Sequence, residues 1–447
     1  MTHHDHGQHT GDSRRGFLRR AALAAGGVAG LAATSSGGRV IDFRARAGVA
    51  GKAAKVAREG ETLGIGVIGT GGMGHAHIRS IFGLLEGGRA ENVEFRALCD
   101  VNDLHAGAAK ETCDAQQSFA CDTYRDHRKL LERDDIHGVL IATTEHQHAS
   151  IAIDALRAGK DVYLEKPMTL RLGEALELRE AVKANPDKIF QVGTQKIMLE
   201  KFREAKKAIE AGRIGKPLFS QTSYCRNAPD GEWNYYEIDP EWKPGVNLDW
   251  DRWLGSLGPR AWDPKMYIRW RRYREFSTGI VGDLLVHELT PLIMAVESAG
   301  WPTRINAIGG HYIDKAMENH DQVNINVQFQ NGHTMIVAGS TSNEVGLETL
   351  IRGHMGNIYL GGRHCVIRPE RAFVDDIDGG TIECPDIGND QDALRLDWFD
   401  CMRSRRAPES GVELGTKVMV IVDLATRSMW DGKTYDFDPE TMRATAV

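Results

Sequence analysis

A chain of 447 residues is too long for one ordinary hydrophobic core, so two domains are expected. At 41% apolar and 26% charged, its composition is that of a soluble globular protein. The net charge of −7 is unevenly spread: residues 1–58 hold ten Lys or Arg against three Asp, leaving 45 basic against 59 acidic beyond them, which excludes a nucleic-acid footprint and a basic stripe for anionic lipid.

The N-terminus reads as a targeting segment. Ser13-Arg14-Arg15-Gly16-Phe17-Leu18 is close to the twin-arginine export signature, and a weakly apolar stretch, Ala21 to Ala33, follows it. That stretch is too short and mild for a membrane span, so no membrane anchor is expected. Export to the periplasm or another extracytoplasmic space is the expectation. Both Leu31-Ala32-Ala33 and Ala45-Arg46-Ala47 offer small residues for cleavage, and residues 1–47 are set aside as signal and linker. His3, His4, His6 and His9 suit a polar tail better than a metal tract. Seven cysteines with no C-x-x-C pair suggest neither a disulfide framework nor a zinc site, and no metal is expected.

From Leu63 the pattern becomes regular. Leu63 to Ile68 is a short apolar run rich in β-formers, which predicts a buried strand, and His75 to Leu85 has helical spacing. Val93 to Leu98 predicts a second strand ending at Asp100, Leu104 to Ala115 a helix, and Tyr124 to Leu131 another short helix. Gly138 to Ala142 and Asp161 to Leu164 are further apolar strands, with a helix, His148 to Ala158, between them. This alternation predicts an α/β Rossmann domain over residues 62–192, a parallel sheet with helices on both faces. Beyond Gln195 the texture changes. A helix from Glu200 to Ala211 leads to Pro217-Leu218-Phe219, then to strands at Ile305–Ile308, Gln322–Phe329, His333–Ala338 and Asn357–Leu360. Asn331-Gly332 is a strong hairpin turn. Helices Asp392–Ser404 and Gly415–Met429 follow, so residues 193–438 are expected to form an α+β domain with a mainly antiparallel sheet. An exposed face of such a sheet suits a dimer surface, and a homo-oligomer is expected.

Gly69-Thr70-Gly71-Gly72-Met73-Gly74 sits where a dinucleotide fingerprint must, after a strand and before a helix. Gly69 would permit the tight turn, Gly71 the approach of the pyrophosphate, and Gly74 close helix–strand packing. Asp100 lies 26 residues past Gly74, somewhat beyond the usual spacing of about 20. Its carboxylate would accept bonds from the adenosine ribose hydroxyls and repel a 2′-phosphate, favouring NAD over NADP.

At Gly159-Lys160-Asp161-Val162-Tyr163-Leu164-Glu165-Lys166-Pro167 the sequence resembles the glucose–fructose oxidoreductase / inositol dehydrogenase (Gfo/Idh/MocA) family. Ala142-Thr143-Thr144-Glu145-His146 looks like the family's loop after the preceding strand, and Val192-Gly193-Thr194-Gln195 like its inter-domain strand. Gly282-Asp283 to His287 looks like its substrate-side helix, and Asp397 to Arg405 like its terminal helix. The resemblance implies that Thr143, His146, Glu165, Lys166 and Gln195 line the cofactor. It also implies that Lys166 and His287 form the acid/base pair on a substrate hydroxyl, with Asp283 one helical turn before His287. A base within reach is required, because hydride leaves a secondary alcohol only if the hydroxyl proton leaves too. A lysine partly desolvated beside a cationic nicotinamide ring is expected to be a weaker ammonium than usual. One departure stands out: many members carry Asp three residues after the histidine, where this chain has Thr290 followed by Pro291.

Six of nine tryptophans fall between Trp233 and Trp270, interleaved with tyrosines and with Arg269, Arg271, Arg272 and Arg274. Aromatic faces stack on sugar rings and guanidinium groups bind hydroxyls or carboxylates, so a carbohydrate or polyol is the expected substrate. Trp270 and Arg271, with Asp283 and His287, are its expected contacts. Three activities remain open at this point: net oxidation or reduction of a sugar carbon with NAD, a glycoside hydrolase or lyase using transient sugar oxidation, and a non-catalytic NAD-binding sensor.

Overall fold

The computed structural model describes residues 52–447 apart from Ala54 and Glu59. The expected export signature, cleavage sites and histidine tract therefore lie outside the described residues. No helix among those described is long and apolar enough to cross a membrane.

The first sheet has six parallel strands: β1 (Leu63–Ile68), β2 (Val93–Cys99), β3 (Asp122–Tyr124), β4 (Gly138–Ile141), β5 (Asp161–Leu164) and β6 (Phe190–Val192), in the order β3-β2-β1-β4-β5-β6. Every residue of β1, β4, β5 and β6 is buried, because helices cover both faces. The helices are α1 (Gly72–Glu86), α2 (Asp103–Gln116), α3 (His127–Leu131), α4 (Glu145–Arg157) and α5 (Leu172–Lys183). The strand order reverses between β1 and β4, which opens a crevice at the carboxyl ends of the strands, where such sheets bind ligands. The expected helix Tyr124–Leu131 is instead the end of a strand and a short helix. Asp126 divides them, its side chain accepting from Arg128 N to cap the helix. The expected strand Val192–Gln195 ends at Val192: Thr194 N turns back onto Val192 O at 2.8 Å, and a 3₁₀ turn starts at Gln195.

The second sheet has ten strands: β7 (Pro217–Cys225), β8 (Pro302–Gly310), β9 (Gln322–Phe329), β10 (Thr334–Ser340), β11 (Leu350–Gly353), β12 (Gly356–Tyr359), β13 (Cys365–Pro369), β14 (Gly380–Ile382), β15 (Tyr435–Asp438) and β16 (Arg443–Ala446). Their order is β14-β13-β12-β11-β7-β10-β9-β8-β15-β16, and only β7 with β10 is a parallel pair. Strict alternation of buried and exposed residues along β9 marks one face as core and the other as open. Asn331 and Gly332 join β9 to β10 as expected, with Gly332 at φ +80°. Helices α6 (Glu200–Glu210), α9 (Val286–Ala295) and α11 (Val412–Asp431) bury their apolar faces in the same core as the inner residues of this sheet.

Helix α10 (Asp390–Ser404) departs from the expected division at residue 193. Its Leu394, Trp398, Phe399, Cys401 and Met402 are buried with Leu63, Phe95, Leu140 and Tyr163 of the first sheet. The chain thus returns to complete the Rossmann core. Two short helices, α7 (Trp250–Leu254) and α8 (Pro264–Ile268), lie in the segment between β7 and α9.

Candidate active site

The expected cofactor residues converge at the carboxyl ends of the parallel strands. Gly69–Gly74 follow β1, Asp100 follows β2, Thr143 follows β4, Glu165 and Lys166 follow β5, and Gln195 follows β6. Within the glycine-rich turn the glycines have two different causes. Gly69 has φ +86° and a Cβ there would stand 2.7 Å from the Ala142 carbonyl, while a Cβ on Gly74 would stand 1.9 Å from Gly69 O. The chain's own packing demands those two. A Cβ on Gly71 would meet only the His105 ring at 3.7 Å, and one on Gly72 would meet nothing within 4 Å. Helix α1 begins there with no side-chain cap and no acidic residue in its first turn. Free N–H groups beside bare, open backbone form an anion cradle, and these residues fit the pyrophosphate of a dinucleotide.

Asp100 does more than the sequence suggests. Its Oδ2 accepts from Thr70 N at 2.7 Å and from Thr70 Oγ1 at 3.3 Å, and its Oδ1 accepts from Asn102 N at 2.9 Å. The carboxylate expected at the ribose therefore also braces the glycine-rich turn.

Glu165 is buried and turned inward. Its Oε1 lies 2.8 Å from His77 Nε2, and its Oε2 accepts from Lys166 N at 3.1 Å. Arg395 Nε of helix α10 donates to His77 Nδ1 at 2.8 Å, which leaves Nε2 as the protonated nitrogen facing Glu165. Burial would raise the Glu165 carboxyl, but the His77 hydrogen bond together with the charge and N–H of Lys166 holds the group below its ordinary value. Glu165 supports Lys166 from behind. His77 and Arg395 went unnoticed in the sequence, since they are 318 residues apart and meet only through helix α10.

The acid/base candidates do come together. Lys166, joined to Pro167 by a cis peptide, donates from Nζ to Asp283 Oδ1 at 3.0 Å and to Asp283 O at 2.7 Å. Arg271 Nε donates to the same Oδ1 at 2.8 Å, its guanidinium lying 4.1 Å from the centre of the Trp270 ring. Burial alone would raise the Asp283 carboxyl, yet the Arg271 and Lys166 cations hold it well below the usual carboxylate range. Asp283 lies in a π-helical turn, Val281–Leu285, that leads into α9 and its His287, so the two are related by a widened turn and not by regular α-helical spacing. Burial, reinforced by the Lys166 cation, pushes His287 down to about 3. The imidazole is neutral at physiological pH, and its Nδ1 is buried with no hydrogen-bond partner among the described residues. Thr290, standing where an Asp is usual, spends its hydroxyl on Val286 O at 2.8 Å.

His146 is engaged in packing: its Nε2 meets Trp253 O at 2.8 Å, and its ring lies 5.0 Å from both Trp253 and Phe276. Most of the aromatic cluster is likewise core. Trp242, Trp250, Trp253, Tyr267 and Phe276 pack on one another, and Trp233 is fully buried elsewhere, because a long segment with only short helices needs its own apolar nucleus. Trp270 and Arg271 remain beside Asp283. Glu145, by contrast, was given no role from the sequence, although it is fully buried and within the influence of Asp283 and Arg271.

Comparison with known proteins accords with this architecture. Residues 63–194 match the model of the oxidoreductase family with an NAD-binding Rossmann fold (Gfo/Idh/MocA), and residues 259–437 match its C-terminal alpha/beta domain. The chain belongs to the Gfo/Idh/MocA oxidoreductase family. It is 35% identical over 159 residues to inositol 2-dehydrogenase of Gluconacetobacter diazotrophicus, covering 35% of this chain and 44% of that protein. It is 31% identical over 171 residues to inositol 2-dehydrogenase/D-chiro-inositol 3-dehydrogenase of Halalkalibacterium halodurans, covering 38% and 46%. The matched region thus spans somewhat less than half the length of these relatives. Among solved structures, levoglucosan dehydrogenase in complex with NADH and levoglucosan superposes with a TM-score of 0.64 at 21% identity, over 84% of this chain and 99% of that one. Aldose-aldose oxidoreductase from Caulobacter crescentus, complexed with glycerol, superposes at 0.62 and 18% identity, over 84% and 100%. These two likenesses speak to the fold.

Proposed function

We propose that this protein is an NAD-dependent oxidoreductase acting on a secondary hydroxyl of a sugar or polyol. The observation that carries the reading is the meeting of Lys166, Asp283 and His287 at the carboxyl edge of β5, beyond the phosphate cradle on the same sheet. The names of the inositol dehydrogenase relatives support the substrate class. When bound, the dinucleotide accepts or returns a hydride at its nicotinamide ring. The protein's part is to manage the proton. Neutral His287 accepts it from the substrate hydroxyl. Lys166, fixed by two bonds to Asp283, donates to the substrate oxygen as negative charge builds there. Asp283 keeps both cations in place, and Trp270 with Arg271 borders the sugar. Asp100 favours NAD over NADP by facing the ribose.

The test is to supply NAD and a panel of sugars and polyols and to follow nicotinamide absorbance. Net reduction with one of them, lost in Lys166→Ala, supports the reading. Continued product release with no net reduction would favour a redox-neutral glycoside cleavage instead. Binding of NAD with no turnover of any sugar would leave a sensor.

A further inference from the structure

Glu145 opens helix α4, directly after β4, and is 1% exposed. An acidic residue in the first turn of a helix is ordinarily explained by the helix dipole or by capping. Here the side chain does neither locally. Its Oε1 accepts from Ser277 Oγ at 2.6 Å and its Oε2 from Thr278 N at 3.2 Å, both in the second domain. From Ser277 the bonding continues toward the site. Ser277 Oγ accepts from Gly279 N at 3.0 Å, and Gly279 O accepts from Asp283 N at 2.8 Å. Asn319 holds the same turn from outside, donating to Ser277 O at 3.1 Å and to Arg271 O at 2.9 Å.

We propose that Glu145 is a positioning residue that ties the loop after β4 to the turn carrying Asp283, setting the second domain's Asp283 and His287 in register with Lys166. The proposal rests on the oxidoreductase reading above. Lys166 follows β5 and Glu145 follows the adjacent β4, so the two grip one segment of the second domain at two points, Asp283 and Ser277–Thr278. A carboxylate in this place is costly unless its bonds matter, because it is buried near a second acid, Asp283. Burial pushes Glu145 up to about 7, against the Ser277 hydrogen bond; Asp283 adds to the rise, while Arg271 and the Thr278 N–H oppose it.

The test compares the wild-type protein with E145A, E145Q and S277A, measuring kcat, KM, NAD affinity and the pH profile. E145A and S277A are expected to lose about 10- to 100-fold in kcat, as displaced catalytic groups do, with NAD affinity within a few-fold of wild type. E145Q keeps an acceptor for Ser277 and is expected to recover most of kcat while losing a near-neutral ionisation from its pH profile. A residue that served stability alone would lower the melting temperature of these variants and leave kcat of the folded protein and the pH profile unchanged, and that result would overturn the proposal. If E145A does not fold, S277A carries the kcat comparison and E145Q the pH profile. A wild-type protein that turns over no sugar brings down the oxidoreductase reading together with this one. Wild-type turnover with unaffected variants brings down this inference alone.

Discussion

Lys166 and Asp283 meet twice across the two domains, through side chain at 3.0 Å and through the Asp283 carbonyl at 2.7 Å. A single ion pair would leave the ammonium free to swing, whereas two acceptors on one residue fix its direction. Removing the amine should therefore be felt in chemistry more than in binding, because the phosphate cradle is built from other residues. Lys166→Ala is expected to bind NAD with little change and to lose about 10²- to 10⁴-fold in kcat, the usual range for a general acid/base. Titration of NAD by fluorescence alongside steady-state kinetics checks both halves; activity within a few-fold of wild type would remove Lys166 from the mechanism.

The glycine-rich turn should separate stability from binding. In Gly74→Ala the new Cβ collides with Gly69 O, where 1.9 Å is available, and overpacking of this kind costs roughly 1–3 kcal/mol. In Gly71→Ala the Cβ meets nothing nearer than 3.7 Å, so the melting temperature should hold while NAD affinity falls. Thermal melts and NAD titration of the two variants are the measurement. Equal affinity of Gly71→Ala and wild type would place the pyrophosphate elsewhere.

Asp100 predicts cofactor choice with a complication. Asp100→Ser with a nearby Arg should relax the preference for NAD. Because Asp100 also holds Thr70, the single change Asp100→Ser should weaken NAD and NADP alike through a loosened turn. Dissociation constants for both cofactors decide this. A wild-type protein that binds NADP as tightly as NAD contradicts the role given to this carboxylate.

Stability should fall in mild acid. His333 is buried against Ser220, and burial pushes its ring down to about 4. The unfolded chain takes a proton below about 6.5 that the folded form refuses until about 4, so the unfolded state gains protons and stability drops as pH falls through that window. The slope is at most about 1.4 kcal/mol per pH unit for one such group. H333Q should flatten the dependence of melting temperature on pH between those values, and an unchanged slope would assign it to other groups.

Export, the expectation from the twin-arginine-like Ser13–Leu18, would make a chemical demand. There is no dissociable nicotinamide pool outside the cytoplasm, so an exported enzyme must carry its cofactor within the folded protein. We expect protein purified without added nucleotide to hold near-stoichiometric NAD(H), released on denaturation and identified by mass spectrometry. Empty protein that binds NAD only at millimolar concentration would count against a retained cofactor and against export.

How much of this could be read beforehand differs by element. Strands β1, β5 and β9 are legible to the residue, since short runs that are wholly buried or strictly alternating have a single physical reading. Strand β3, three residues long and mostly exposed, carries no such pattern. The glycine-rich turn, Asp100, Lys166, Asp283 and His287 were visible because local chemistry or a short motif marks them. Which members of the aromatic segment fill a core was not legible, because a tryptophan that stacks on a sugar and one that fills a core look alike in one dimension.

What the sequence by itself determined is therefore the two-part architecture, the dinucleotide turn and the names of the acid/base candidates. Tertiary structure alone decided how they are held. Glu165 faces a His77 that Arg395 holds from its other side because helix α10 returns to the first domain, Asp283 takes two cations on one oxygen, and Glu145 reaches Ser277 from 132 residues away. The physical reason is common to all three. Periodicity and motifs report on neighbours along the chain, whereas a buried charge needs a partner wherever the fold supplies one.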